Sequence, residues 1–180
     1  MPAKRLPGGP TQDEIMAISL LKLDIHKTDS LLEIGCGTGR VTLALATLGK
    51  CVDAIDVRPE AVDLARQTAK DRGVKNITFT CAEATEFLES NKVYTSAFVG
   101  GTKNLREILP VLAKRVRWKI VINAVLLSTV CEAVSTLQEL GLFVEVVQVQ
   151  VSRSKPLAGS LMFKPIDPVY IIVGRGSACS

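Results

Sequence analysis

Nine consecutive residues constrain this chain more than any other stretch: Leu31-Leu32-Glu33-Ile34-Gly35-Cys36-Gly37-Thr38-Gly39. Aliphatics lead into an acid, three alternating glycines follow, and Arg40-Val41-Thr42-Leu43-Ala44-Leu45-Ala46 then reads as a helix. A buried strand that turns over glycines into a helix belongs to an α/β sheet. It leaves bare backbone for a ligand to lie against. Seventeen positions past Gly39 stands Asp56, at the end of the apolar run Cys51-Val52-Asp53-Ala54-Ile55-Asp56. An acid there suits the paired hydroxyls of a ribose, so the pattern implies a nucleoside-containing cofactor.

Two cofactor classes compete, the nicotinamide or flavin dinucleotides and S-adenosylmethionine (SAM). A dinucleotide sets its pyrophosphate on the helix start and wants Gly-x-Gly-x-x-Gly. Here the third glycine comes one residue early, and Arg40 stands at the dinucleotide position. A carboxylate at Glu33 would repel a pyrophosphate but attract the ammonium of a methionine moiety, directly or through water. Acid-x-Gly-x-Gly-x-Gly is the signature of SAM-dependent methyltransferases, and this segment resembles theirs, which favours SAM.

The order of elements supports the same fold. The chain of 180 residues suits one domain, preceded by an N-terminal arm over residues 1–10. Thr11-Gln12-Asp13-Glu14 has the form of a capping box and opens a helix carrying Ile15, Ile18, Leu21 and Leu23, expected to end near His26. Strands are expected over 31–34, 51–56, 76–80, 94–99 and 118–123. Helices alternate with them over 40–48, 59–72, 84–90, 104–114 and 128–140. Pro59 starts one of these helices, Gly73 and Gly141 end two, and Pro110 sits awkwardly inside another. That alternation gives a parallel sheet covered on both faces. Residues 142–152 and 169–173 then read as strands with no helix between them, only a loop rich in Pro, Gly, Ser and Lys, so they pair antiparallel. The expected architecture is α/β, the Rossmann-like class I methyltransferase fold: a seven-stranded, mostly parallel sheet finished by an antiparallel hairpin.

Composition narrows the function. The apolar content of 47% fits a buried sheet, and no apolar run is long enough to cross a membrane. The N-terminus lacks the hydrophobic stretch of a signal peptide. The five cysteines form no C-x-x-C pair, so reduced packing residues in a cytoplasmic enzyme are expected. A single histidine, His26, argues against a His-based zinc site or a Ser-His-Asp triad. Aromatics at 4% supply a poor stacking platform for nucleic acid, so no nucleic-acid partner is expected.

Ligands of such sheets sit outside the carboxyl ends of the strands. Those ends include Glu33 to Gly39, Asp56, Glu83 and Ala84, Gly100 and Gly101, and Asn123. Glu83 reads either as an acceptor for an adenine amine or as a cap of the next helix. Gly100-Gly101 reads as a loop needing positive φ and as a place of close approach to a flat substrate, readings that do not exclude each other. Methylases acting on base amines carry Asn/Asp-Pro-Pro-Tyr there, which this chain lacks. The segment 152–165 carries Arg153, Lys155 and Lys164 and no acid, beside Leu161-Met162-Phe163. It reads either as solvated surface or as an apolar surface with cations, packed on a second subunit or a large substrate.

Pro7-Gly8-Gly9-Pro10-Thr11, the Glu33–Gly39 motif, Gly100-Gly101, Asn123-Ala124-Val125-Leu126-Leu127 and the 152–165 loop leading to Pro168-Val169 together resemble the CbiT family. These are the cobalt-precorrin-6B (C15)-methyltransferases of cobalamin biosynthesis, also found as the C-terminal half of CobL. The resemblance spans nearly the whole chain. It implies SAM-dependent methylation of carbon 15 of a corrin precursor with loss of carbon dioxide from the ring C acetate, in a homotetramer. It also implies SAM contacts at Thr11, Gly35, Cys36, Gly37, Thr38, Gly39, Asp56 and Ala84. Ser96 and Ser128 depart from the family, where acids often stand. A tetrapyrrole is an apolar ring fringed by carboxylates, which Gly100, Gly101, Arg153, Lys155 and Lys164 suit; Asn123 is an orienting candidate. Any cobalt belongs to the substrate ring, and no protein metal site is expected. A methyltransferase of RNA or protein, and a non-catalytic partner retaining the fold, are the alternatives.

Overall fold

The computed structural model describes residues 11–178. The proline-glycine entry before Thr11, and Cys179, lie outside the described residues. Helix α1 (Asp13–Leu23) leads into β1 (Ser30–Ile34), α2 (Arg40–Leu48), β2 (Cys51–Asp56), α3 (Pro59–Asp71), β3 (Ile77–Cys81) and the short α4 (Ala84–Phe87). Strand β4 (Ser96–Val99), α5 (Leu105–Ala113), β5 (Lys119–Ala124) and α6 (Leu127–Glu139) follow, then β6 (Phe143–Val149), β7 (Ser152–Leu157), β8 (Ser160–Pro165) and β9 (Val169–Arg175). Seven strands form one sheet in the order β3-β2-β1-β4-β5-β9-β6. Strands β1 to β5 run parallel, while β9 pairs antiparallel with both β5 and β6. The order reverses between β1 and β4, and the loops leaving those two strands open the crevice where ligands enter such sheets.

Both faces of the sheet are buried, which explains the nearly continuous apolar strands. Alternation divides the side chains. Leu31, Phe98, Val121 and Ile171 face α1, α2 and α3, whereas Leu32, Ala97, Ile120, Ile122 and Ile172 face α4, α5 and α6. Gly73 and Gly141 end α3 and α6 at φ +67 and +69, as their spacing predicts. Pro110 does lie inside α5. Its ring removes one amide donor, so the helix tolerates the loss of that bond to the turn before it.

Among the elements, α4 ends at Phe87, short of the expected residue 90, and three further expectations fail. The capping box does not form: Gln12 is the N-cap, with no side-chain cap bond. The first turn of α1 is held instead by ion pairs from Asp13 to Arg40 and from Glu14 to Arg153. The helix also stops at Leu23, before His26, because Asp24 takes the left-handed conformation at φ 54. Finally, the expected long strand ends at Val149, and the expected irregular loop is the β7–β8 hairpin. Its two turn residues, Ala158 and Gly159, both have positive φ (48 and 76), the type I′ geometry that matches strand twist.

Candidate cofactor and substrate site

The turn after β1 is fastened to β2 by one carbonyl. Ile55 O accepts the N–H groups of Gly35 (2.8 Å) and Cys36 (2.9 Å). The three glycines then do different things. A Cβ on Gly35 (φ +81) would stand 2.3 Å from Gly101 N, so the turn after β1 and the loop after β4 touch backbone to backbone. A Cβ on Gly39 (φ +78) would stand 2.8 Å from the Ala65 Cβ, so this glycine lets α2 pack on α3. Gly37 (φ +52) is open among the described residues: beyond its chain neighbours, the one described atom within 4 Å of its Cβ position is Arg58 Nη2, at 3.9 Å. Gly37 therefore offers the bare backbone on which a ligand can rest, while Gly35 and Gly39 make that turn possible.

Gly100 and Gly101 are not in the positive-φ region, so the expected need for positive φ there is wrong. Their N–H groups both donate to Ile34 O, at 2.8 and 3.0 Å. A Cβ on Gly100 would stand 3.2 Å from Gly35 O and one on Gly101 3.3 Å from Gly35 Cα, so a side chain at either would crowd the turn after β1.

Asp56 is 4% exposed, at the carboxyl end of β2. Its Oδ2 accepts the Gly37 N–H (2.9 Å) and Arg58 Nη2 (3.0 Å); its Oδ1 accepts the Arg58 backbone N–H (3.0 Å) and Nε (2.9 Å). Burial opposes ionisation, but the hydrogen bonds from Arg58 and Gly37 outweigh it and hold the carboxyl below its usual range. Arg58 gave no signal in sequence, because an arginine beside a helix start reads as surface.

Glu33 lies beneath the turn. It is 1% exposed, and its carboxyl accepts the hydroxyl of Thr42 from α2. Desolvation, opposed by the Thr42 bond and assisted by the charge of Asp56, pushes it up to about 8. Cys36 is also buried, and burial raises its thiol far above the ordinary range, so it packs as a neutral side chain. Thr38 and Arg40 line a groove of about 650 Å³ between α1, α2 and α3, which includes neither Asp56 nor the Gly100 loop.

A second cavity, of about 380 Å³, brings together Thr11, Gln12, Ile15, Gly100, Thr102 and Asn123 from separate parts of the chain, with Ile166 and Asp167 closing it. Within it, Asn123 Oδ1 lies 3.0 Å from Ser19 Oγ, and that hydroxyl lies 2.8 Å from Ile15 O. Ser19 has one proton, which the Ile15 carbonyl takes at the shorter distance. Turning the amide over lets Asn123 Nδ2, otherwise buried without a partner among the described residues, donate to Ser19 Oγ. Asn123 thus ties α1 to β5 at the cavity wall, with Ser19 a partner that sequence reasoning missed.

Glu83 is the N-cap residue of α4 but makes no side-chain cap bond, so capping does not account for it. Its side chain is exposed, and Ala84 behind it is buried. In the β7–β8 hairpin, Arg153 faces Lys164, Lys155 faces Met162, Ser154 faces Phe163 and Pro156 faces Leu161. Alternation therefore puts all three cations on one face with Met162, and Leu161 and Phe163 on the other. The expected surface mixing cations with all three apolar residues is wrong in that respect. Arg153 is paired with Glu14 (2.6 Å).

Residues 7–174 match the precorrin methyltransferase domain family. The chain belongs to that family. A relative from Methanosarcina acetivorans, "Probable cobalt-precorrin-6B C(15)-methyltransferase (decarboxylating)", is 43% identical over 95% of this chain and 96% of its own. Among solved structures, a precorrin 8w decarboxylase from Methanobacterium thermoautotrophicum superposes with a TM-score of 0.89 at 31% identity, covering 95% of each chain. A precorrin-6y C5,15-methyltransferase from Geobacter metallireducens gives 0.88 at 30% identity, covering 96% of this chain and 94% of its own. The fold is that of class I SAM-dependent methyltransferases, and this member of the family is a methyltransferase. The two serines at positions where the sequence reading expects acids in relatives sit in different places. Ser96 is buried at the first position of β4, and Ser128 is exposed in the first turn of α6. No described helix is long and apolar enough to cross a membrane.

Proposed function

We propose that this protein methylates carbon 15 of cobalt-precorrin-6B, or of its metal-free counterpart, with SAM as donor, and releases carbon dioxide from the ring C acetate. The observation that carries the proposal is the bare turn at Gly37 beside the buried carboxylate of Asp56, packed through Gly35 on the Gly100-Gly101 loop that also lines the cavity at Thr11 and Asn123. The residues fit SAM. Asp56 suits the ribose hydroxyls, Gly35 to Gly39 the backbone contacts, Glu83 and Ala84 the adenine, and Thr11 the methionine end. Glu33 underneath favours the ammonium through the turn. When bound, SAM supplies an electrophilic methyl group. The chain's own part is to hold the substrate carbon in line, exclude water and receive carboxylates. The macrocycle itself provides the electrons for the new bond and the sink for decarboxylation, so the chemistry does not demand a strong base from the chain.

The cationic hairpin face, Arg153, Lys155 and Lys164, suits the propionate and acetate rim of a tetrapyrrole. The opposite face exposes Leu161 at 69% and Phe163 at 70%, an apolar surface suited to a second copy in a homotetramer. A cytoplasmic enzyme is part of this reading. Incubation with SAM and purified precursor, followed by mass spectrometry, tests it: one methyl gained with one carbon dioxide lost is expected. Methylation of RNA or protein instead, or no turnover with SAM bound, refutes it.

A further inference from the structure

The acceptor positions of Asp56 are full. Oδ1 takes the Arg58 backbone N–H and Nε–H; Oδ2 takes the Gly37 N–H and Arg58 Nη2–H. A carboxylate has about four lone-pair sites, so four donors saturate it. Two of these donors are backbone groups fixed by the turn and by the start of α3. The other two belong to one guanidinium, whose parallel N–H bonds span the two oxygens. A vicinal diol presents two hydroxyl donors to the same two oxygens. The same guanidinium also lies over Gly37, the open position of the turn.

We propose that the Arg58 side chain is a displaceable occupant of the ribose seat, and that cofactor binding exchanges the guanidinium for the diol. This rests on the SAM reading above. The Arg58 side chain is 34% exposed, so it has a route into solvent once released. Its charge then enters water, and the two backbone bonds keep Asp56 in position for the hydroxyls. The exchange lowers cofactor affinity relative to an open seat, since only the fraction with Arg58 withdrawn can bind. For a bidentate, half-buried pair that fraction is on the order of one in three to one in thirty.

Calorimetric titration with S-adenosylhomocysteine tests the proposal, comparing the unaltered protein with Arg58→Met, which keeps the aliphatic stem. Affinity is expected to rise about threefold to thirtyfold in the variant. Equal or weaker binding by a folded variant overturns the role of Arg58 while leaving the cofactor reading intact. Failure of both proteins to bind overturns both. A second measurement does not depend on the variant folding. The Nε–H resonance of Arg58, followed by nitrogen-15 NMR in the unaltered protein, is expected to shift and to exchange faster with water on saturation with S-adenosylhomocysteine. An unchanged resonance at saturation means that the pair persists in the complex and overturns the proposal.

Discussion

Replacing Glu33 by Gln should stabilise the free protein increasingly as pH rises. The unfolded carboxyl titrates near 4.5 and the buried one near 8. Below 4.5 both states hold the proton and the group contributes no difference. Between the two values the unfolded chain has released a proton that the folded chain still holds. Stability then falls with rising pH by about 1.4 kcal/mol per unit, and levels off above 8. From pH 6 to pH 9 the unaltered protein should therefore lose about 3 kcal/mol that the Glu33→Gln variant keeps. In a domain of this size that is about 5–10 °C in Tm. Urea unfolding of both proteins at intervals across that range measures it. Other titrating groups cancel in the difference between the two proteins, and any cost of the new amide beside Thr42 is a constant offset. A difference that stays flat from pH 6 to pH 9 would show that Glu33 is ionised in the free fold and would refute the reasoning. The same chemistry predicts proton release when a ligand ammonium arrives, visible as a binding enthalpy near pH 7 that depends on the ionisation enthalpy of the buffer.

Asp56→Ala should weaken SAM binding about a hundredfold, because two charge-assisted bonds to the ribose disappear; unchanged affinity by calorimetry would remove the ribose role. Gly35→Ala should lower stability by about 3 kcal/mol or more, since its Cβ meets the Gly101 backbone at 2.3 Å. Gly37→Ala should cost only about 1 kcal/mol in the free protein yet impair SAM binding, because its space is open until a ligand lies there; equal losses of stability in the two variants would contradict that division. Arg153→Ala combined with Lys155→Ala should raise the tetrapyrrole KM and leave SAM affinity alone, and a fall in SAM affinity would reassign these residues. Leu161→Ser with Phe163→Ser should dissociate the proposed homotetramer in sedimentation velocity without changing the circular dichroism of the fold.

The parallel half of the molecule was legible because its signals are local. Each strand from β1 to β5 is a short apolar run, and α3 and α6 carry a start or stop at Pro59, Gly73 or Gly141. The N-terminus of α1 was misread because its partners are distant in sequence: Arg40 and Arg153 draw off the two acids of its first turn, a competition that a capping motif cannot reveal. The β7–β8 hairpin was misread for another reason. Its strands are exposed on both faces, so the buried side that normally produces apolar–polar alternation is missing, and Pro156 and Pro165 imitate loop residues. Ala158 occupies a left-handed position where Asn or Gly would have announced the turn.

The site divides along the same line. Residues whose role is backbone, Gly35, Gly37 and Gly39, were readable from spacing because only glycine satisfies the turn. Side chains whose role depends on what stands opposite were not. Thr42, Ser19 and Arg58 became visible only through their partners Glu33, Asn123 and Asp56. Arg58 carries the sharpest consequence. A buried carboxylate aimed at bare backbone would be expensive to leave unpaired in the free protein. The fold meets that cost with Arg58, two residues away, whose side chain is 34% exposed. Arg58 therefore keeps Asp56 ionised and oriented while the seat is empty, at the expense of affinity when it fills.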